Sequence, residues 1–352
     1  MKVNTVSLLL ALIVVTSAAL RSRARAEEEQ EFPAAALRLL SEASESPPTS
    51  EAEIGLVCNA VDALVERGEG AGALWTLATD TRQAARVRRH AINGIVKVAE
   101  LPREKVRGFL LNLVQERDEP PVLRIQAALA LRAKHLGRAS RSEVCEVLEA
   151  VLLRPEDNHV LQRTCLHTFS EIAEVVRVKQ VLLSHALQEH PYFGIRADIC
   201  MGLGSLGVRE RKALEILCSL MLDSDPADEM LGVPQEAWLS FWWLTGRSYG
   251  VEDELAFSRE GLSDDERVDQ SNVLPGVFPR RGVSLRMLEA VRHLTCRNWP
   301  EVVAARQRGE HIRWVRNTDG LRAAASKSRQ DIDAICAEWT RELERESEQP
   351  GR

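Results

Sequence analysis

Residues Asp118–Leu131 read DEPPVLRIQAALAL, and this stretch decides the fold. Pro120 and Pro121 stand just ahead of an apolar run. Beyond them Leu123, Ala127, Ala128 and Leu131 share one helical face, with Arg124 beside it. Four more segments repeat the arrangement: RVRRHAINGIV (86–96), VLQRTCLHTFS (160–170), GIRADICMGLG (194–204) and GVPQEAWLSFW (232–242). Val87, Leu123, Leu161, Ile195 and Val233 form one column, spaced 36, 38, 34 and 38 residues apart. A period of this size marks a repeat array.

A second apolar-periodic helix follows each of the first four segments: KVRGFLLNLVQ, SEVCEVLEAVLL, VKQVLLSHALQ and KALEILCSLML. In SEVCEVLEAVLL, Val144, Val147, Leu148, Val151 and Leu152 lie on one face, and the other face is acidic and polar. LPRE and GRASRSE supply the breaks where a helical hairpin turns. Each unit is helix, turn, helix, and cannot bury its apolar face alone. Aromatics make up only 5% of the chain, too few for the alternating patterns of strands, so an all-α fold is expected.

These residues resemble the HEAT-repeat family, including the shorter HEAT-like repeats common in bacteria. Asp118, Leu123, Arg124, Ala127 and Ala128 match its pattern of an acid, an apolar residue with arginine behind it, and an alanine-rich helix. Gln162 takes the arginine position of the third unit, and His190 stands where the fourth should have an acid before Arg196. The resemblance spans roughly residues 50–250. It implies a right-handed α-solenoid of about five hairpins, and the expected work is non-catalytic protein binding along the curved surface. A few HEAT-like families act on tetrapyrrole chromophores or DNA bases, but nothing here matches their sites.

The first helices end on a shared motif: HLGRAS at Leu136, SLGVRE at Leu206, WLTGRSYG at Leu244 and HLTCRNWP at Leu294. Gly137, Gly207 and Gly246 can take the left-handed conformation that closes a helix, and Arg138, Arg209, Arg247 and Arg297 complement the negative end of its dipole. The motif reads as a structural joint. Cys296, in place of glycine, is a poor stop.

Residues 1–26 read as a secretory signal peptide: Lys2, the apolar run Val6–Leu20, and Ala24 and Ala26 as the small residues of a cleavage site before Glu27. Fifteen apolar residues fall short of the roughly 20 that a spanning helix needs, so a membrane partner is expected only if this segment stays uncleaved and anchors the chain through residues 6–20. Cleavage removes four cations and no acid, taking the formal charge from −6 to −10, which disfavours nucleic acid. The seven cysteines form no C-x-x-C pair and read as small buried side chains, with Cys145/Cys165 and Cys200/Cys218 the pairs an oxidising compartment could join.

The expected organisation is the signal peptide, an N-terminal arm at 27–50, the solenoid at 51–250, an acidic insert at 251–284 and a helical C-terminal cap at 285–352. In the cap, Ile332, Ile335, Cys336 and Trp339 share one face of a helix. No protease, P-loop or dinucleotide motif occurs, and neither an enzyme nor a cofactor or metal is expected. His185 and His190 are spaced wrongly for a shared ligand face. DSDPADE, from Asp223 to Glu229, lacks the glycine of a calcium loop and reads as a solvated turn. Trp238, Phe241, Trp242 and Trp243 fan too widely for one buried stripe, so either the C-terminal helices with Trp299 and Trp314 cover them or they meet a protein or glycan partner.

Overall fold

The computed structural model describes residues 25–98, 100–133, 136, 141–154, 157–249 and 285–348. The signal segment through Ala24, the acidic insert, and Gly137 and Arg138 of the first joint lie outside the described residues. Among those described, the chain is all-α, with sixteen helices packed as sequential neighbours in the manner of a helical repeat array. It divides into two compact units, 1–140 and 141–352.

The first unit holds α1 (Arg25–Glu45), α2 (Glu51–Arg67), α3 (Ala71–Thr79), α4 (Ala85–Lys97), α5 (Arg103–Gln115) and α6 (Pro121–Ala130). Hairpin neighbours α1 and α2, α3 and α4, and α5 and α6 pack together, and α2, α4 and α6 stack in turn as one layer. α1 buries Ala36, Leu40 and Ala43 against α2 and α3. Ser50 starts α2 with a capping box: its hydroxyl accepts from the Glu53 N–H while the Glu53 carboxylate accepts from the Ser50 N–H.

The second unit holds α7 (Arg141–Leu152), α8 (His159–Ile172), α9 (Val175–Leu182), α10 (His185–Gln188), α11 (Phe193–Ser205), α12 (Arg211–Leu220), α13 (Gly232–Thr245), α14 (Leu285–Thr295), α15 (Trp299–Gln307) and α16 (Thr318–Glu348). The single helix expected over VKQVLLSHALQ is broken between α9 and α10, where Ser184 takes an extended N-cap conformation. α11 and α13 approach closely because Gly204 has no side chain: a Cβ there would lie 2.8 Å from the Ser240 hydroxyl and 3.1 Å from its Cα.

The recurring polar position beside the apolar column is a staple. Arg88 Nε donates to the Ala78 carbonyl (3.3 Å), Arg124 Nε to that of Val114 (3.0 Å) and Gln162 Nε2 to that of Leu152 (3.2 Å), each ten residues back. Those carbonyls lie in the last turns of α3, α5 and α7, where helix geometry leaves acceptors unfilled. All three side chains are buried. Gln162 does the same work with a neutral amide. Arg88 also grips Glu119 ahead of α6 with two hydrogen bonds of 2.6 and 2.7 Å. The acid before one helix therefore answers the arginine of the helix before it.

Two of the joints stop as expected. Gly207 and Gly246 sit at φ 60° and 72°. At the first, the Val208 N–H reaches the Leu203 carbonyl (3.1 Å) and the Gly207 N–H that of Gly204 (3.0 Å), closing α11. The last joint differs. After Thr295 the chain extends, and Cys296 forms an isolated antiparallel bridge with Arg316.

Candidate functional site

The tryptophan segment lies in the core. Trp238, Phe241 and Trp242 are buried, and Trp243 alone of the four is partly accessible. The cover comes from near by: Trp238 Nε1 donates to the Tyr249 carbonyl (2.9 Å), and the Tyr249 ring lies 6.0 Å from that of Phe241. Of the C-terminal helices expected as a cover, α14 packs on α13, while the Trp299 and Trp314 rings lie 5.0 Å apart at a tilt in a cluster with Leu231, Cys296 and Val302. Leu231 enters that cluster at φ 54°, a left-handed backbone that non-glycine residues seldom adopt.

The arginines of the joints have a role that sequence reasoning assigned to the helix dipole alone. Arg209 pairs with Glu342 (2.9 Å), Arg247 with Asp331 (2.9 Å) and Glu338 (2.8 Å), and Arg297 with Asp319 (3.6 Å). All four acids belong to α16. The Tyr249 hydroxyl also bonds Asp331, and burial pushes its phenol up to about 12. Underneath, α16 buries Leu321, Ala324, Ile332, Ile335 and Trp339 while packing on α12 and α14. Cys336, grouped with that face from the sequence, is only half-buried. The joints thus clasp an acidic helix of the same chain, and this is a structural clasp.

The polar motifs singled out for chemistry are consumed in the same way. In DSDPADE, Asp223 and Asp225 hold Arg196, and Asp228 accepts the Gly232 and Val233 amides (both 2.8 Å) at the start of α13. Burial raises the Asp228 pKa, partly offset by those amides. Arg163 and His167 on α8 both reach Asp198 on α11, at 2.6 and 2.9 Å. Asp198 is fully buried; burial works to raise its pKa, but these two partners leave it below the ordinary carboxylate value. His185 is exposed beside Glu189, away from a shared ligand set with the buried His190. Among the described residues no group of three or more His, Cys, Asp or Glu side chains is arranged to hold a metal ion, and no helix is long and apolar enough to cross a membrane. All seven cysteines are free thiols; six are buried, and neither Cys145/Cys165 nor Cys200/Cys218 is bonded.

What remains open is the outer face of the α2, α4, α6 layer. α4 carries Arg86, Arg88, Arg89, His90 and Lys97 and no acid, in a chain of formal charge −6. Its neighbour α2 neutralises one edge, with Arg86 on Glu51 (3.2 Å) and His90 on Asp62 (3.0 Å). Arg89, Asn93 and Lys97, one helical turn apart in succession, are exposed, and neither cation has an acidic partner among the described residues. On α6 the positions 36 residues on from Arg86, Arg89 and Asn93 are Val122, Ile125 and Leu129. Val122 and Leu129 are each 38% exposed. Equivalent repeat positions face the same way in stacked helices, so a cationic row and an apolar row run side by side. The signal was present in the sequence, in the acid-free helix and in the apolar residues at the outward column of the next one.

No family model matches the chain, and no curated protein matches it.

Proposed function

We propose that the chain is an exported, non-catalytic protein-binding scaffold, built as a HEAT-like α-solenoid with α16 as its C-terminal cap. The fold reading is supported by the staple that recurs at a ten-residue offset in three successive hairpins. The observation that carries the function is the paired outer row on α4 and α6. Cations with no acidic partner among the described residues, beside exposed aliphatic side chains, fit an amphipathic partner segment with an acidic edge: the charges steer and orient it, and the aliphatic contacts supply affinity.

The test is affinity capture from envelope extract with cross-link mapping, comparing the wild-type chain with Arg89→Glu/Lys97→Glu and with Trp243→Ala. We expect cross-links from an acidic partner segment onto 86–97 and 122–129. The charge reversal should reduce capture at least about ten-fold, consistent with loss of more than about 1.4 kcal/mol, and Trp243→Ala should leave it unchanged. Capture indifferent to the charge reversal, or cross-links confined to other helices, refutes the reading. Export predicts that the mature chain in the same material has an intact mass beginning at Glu27; a mass that includes residues 1–26 favours the anchored form.

A further inference from the structure

His190 is buried, precedes α11 and takes no part in the surface just described. Its Nδ1 accepts the Tyr192 backbone N–H (3.1 Å), which places the neutral ring's proton on Nε2. Nε2 is buried with no hydrogen-bond partner among the described residues. The turn it holds is crowded and specific. The Tyr192 ring lies tilted 4.2 Å from the His159 ring on α8 and 5.1 Å from that of Phe193, and it folds back over α11 only because residue 194 is glycine: a Cβ there would meet the ring at 2.6 Å. The His190 carbonyl accepts a hydrogen bond from Arg196, whose guanidinium is shared with Asp223 and Asp225.

We propose that the turn from His190 to Phe193 is an acid-opened latch on the joint between α8 and α11. A second proton must go on Nδ1, where it would point at the Tyr192 N–H and forbid the bond that shapes the turn. The charged groups facing the ring do not rescue the imidazolium. They are the Arg196 guanidinium on α11 and the His159 ring on α8, both disfavouring a cation; Asp223 and Asp225 in the turn before α13 are already engaged by Arg196, and Glu189, next in sequence, is exposed and pairs with His185. Burial, foremost, and those two neighbours hold the His190 pKa below its ordinary value. The sign follows from linkage. The open turn binds the proton more readily than the closed one, so closure is fully stable above the ordinary histidine value of about 6.5 and is lost as pH falls from there toward the depressed value.

Hydrogen exchange of the full chain, corrected for intrinsic rates, tests this across the range from about pH 7.5 to about pH 5.5. We expect protection over residues 190–196 to fall several-fold across that range, up to the roughly ten-fold ceiling that one histidine allows between these pH values, about 1.4 kcal/mol, while α12 and α13 stay protected. His190→Gln, whose amide oxygen can accept from Tyr192 but does not titrate, should abolish the pH dependence; His159→Gln and His167→Gln should keep it. Uniform protection in the wild type, or a pH dependence that survives in His190→Gln, overturns the latch. Should His190→Gln not fold, imidazole NMR of the wild type decides. A ring protonated on Nε2 and titrating below the ordinary value supports the latch, and a proton on Nδ1 or a pKa at or above the ordinary value overturns it.

Discussion

Arg196→Met should destabilise the chain by about 3–5 kcal/mol in urea unfolding at neutral pH, the range for removing one partner of a buried ion pair. The Arg196 side chain is 8% exposed, and its two carboxylates, Asp223 and Asp225, are 9% and 19% exposed. Methionine fills much of the same volume, so the loss isolates charge and hydrogen bonding from packing. Three acceptors are stranded together: both carboxylates and the His190 carbonyl. Asp225 is held below the ordinary carboxylate value chiefly by its hydrogen bond to Arg196, so in the variant it should titrate higher. Adding Asp223→Asn and Asp225→Asn should recover most of the loss, because the stranded charges are then gone. A loss under about 1 kcal/mol, the level of a surface pair, would mean that water reaches the site and that the three groups are not coupled.

Much of this arrangement was legible in the sequence, because helical periodicity and the column near period 36 come from packing demands that every hairpin repeats. Arg88, Arg124 and Gln162 stood in one column, but their shared acceptors did not show. A carbonyl at a helix end carries no sequence signature, and a glutamine donates there as well as an arginine does. Gly207 and Gly246 were readable as stops because the left-handed backbone selects glycine. Cys296 departed because its chain continues into a bridge with Arg316, a contact set by tertiary pairing. The aromatic segment left two readings open, a covered core or an exposed patch, for a related reason. A fan of Trp238, Phe241 and Trp242 cannot be buried by one neighbour, and in the structure α11, α12 and α14 pack against α13 while Tyr249 folds back from the chain that follows it. The joint arginines were legible as cations at helix ends. Their partners on α16 lie between 22 and 133 residues away, beyond any local pattern.

Trp238→Ala should cost about 3–5 kcal/mol, the range for truncating a large buried aromatic. The side chain is 2% exposed, so its loss leaves a cavity, and it also removes the donor to the Tyr249 carbonyl. That second effect reaches further than the cavity. Tyr249 is held from below by Trp238 and Phe241 and presents its hydroxyl to Asp331, beside the hydrogen bonds that Arg247 makes to Asp331 and Glu338. Releasing the Tyr249 backbone should therefore loosen the grip on α16, and exchange of the α16 amides near Asp331–Glu338 should rise more than that of α11. Trp238→Phe separates the contributions: it keeps most of the ring, loses the N–H, and should cost about 1–3 kcal/mol, that of a buried acceptor left unsatisfied. If Trp238→Ala unfolds with a midpoint close to wild type, the aromatic segment is not the core that its burial describes, and the clasp on α16 does not depend on it.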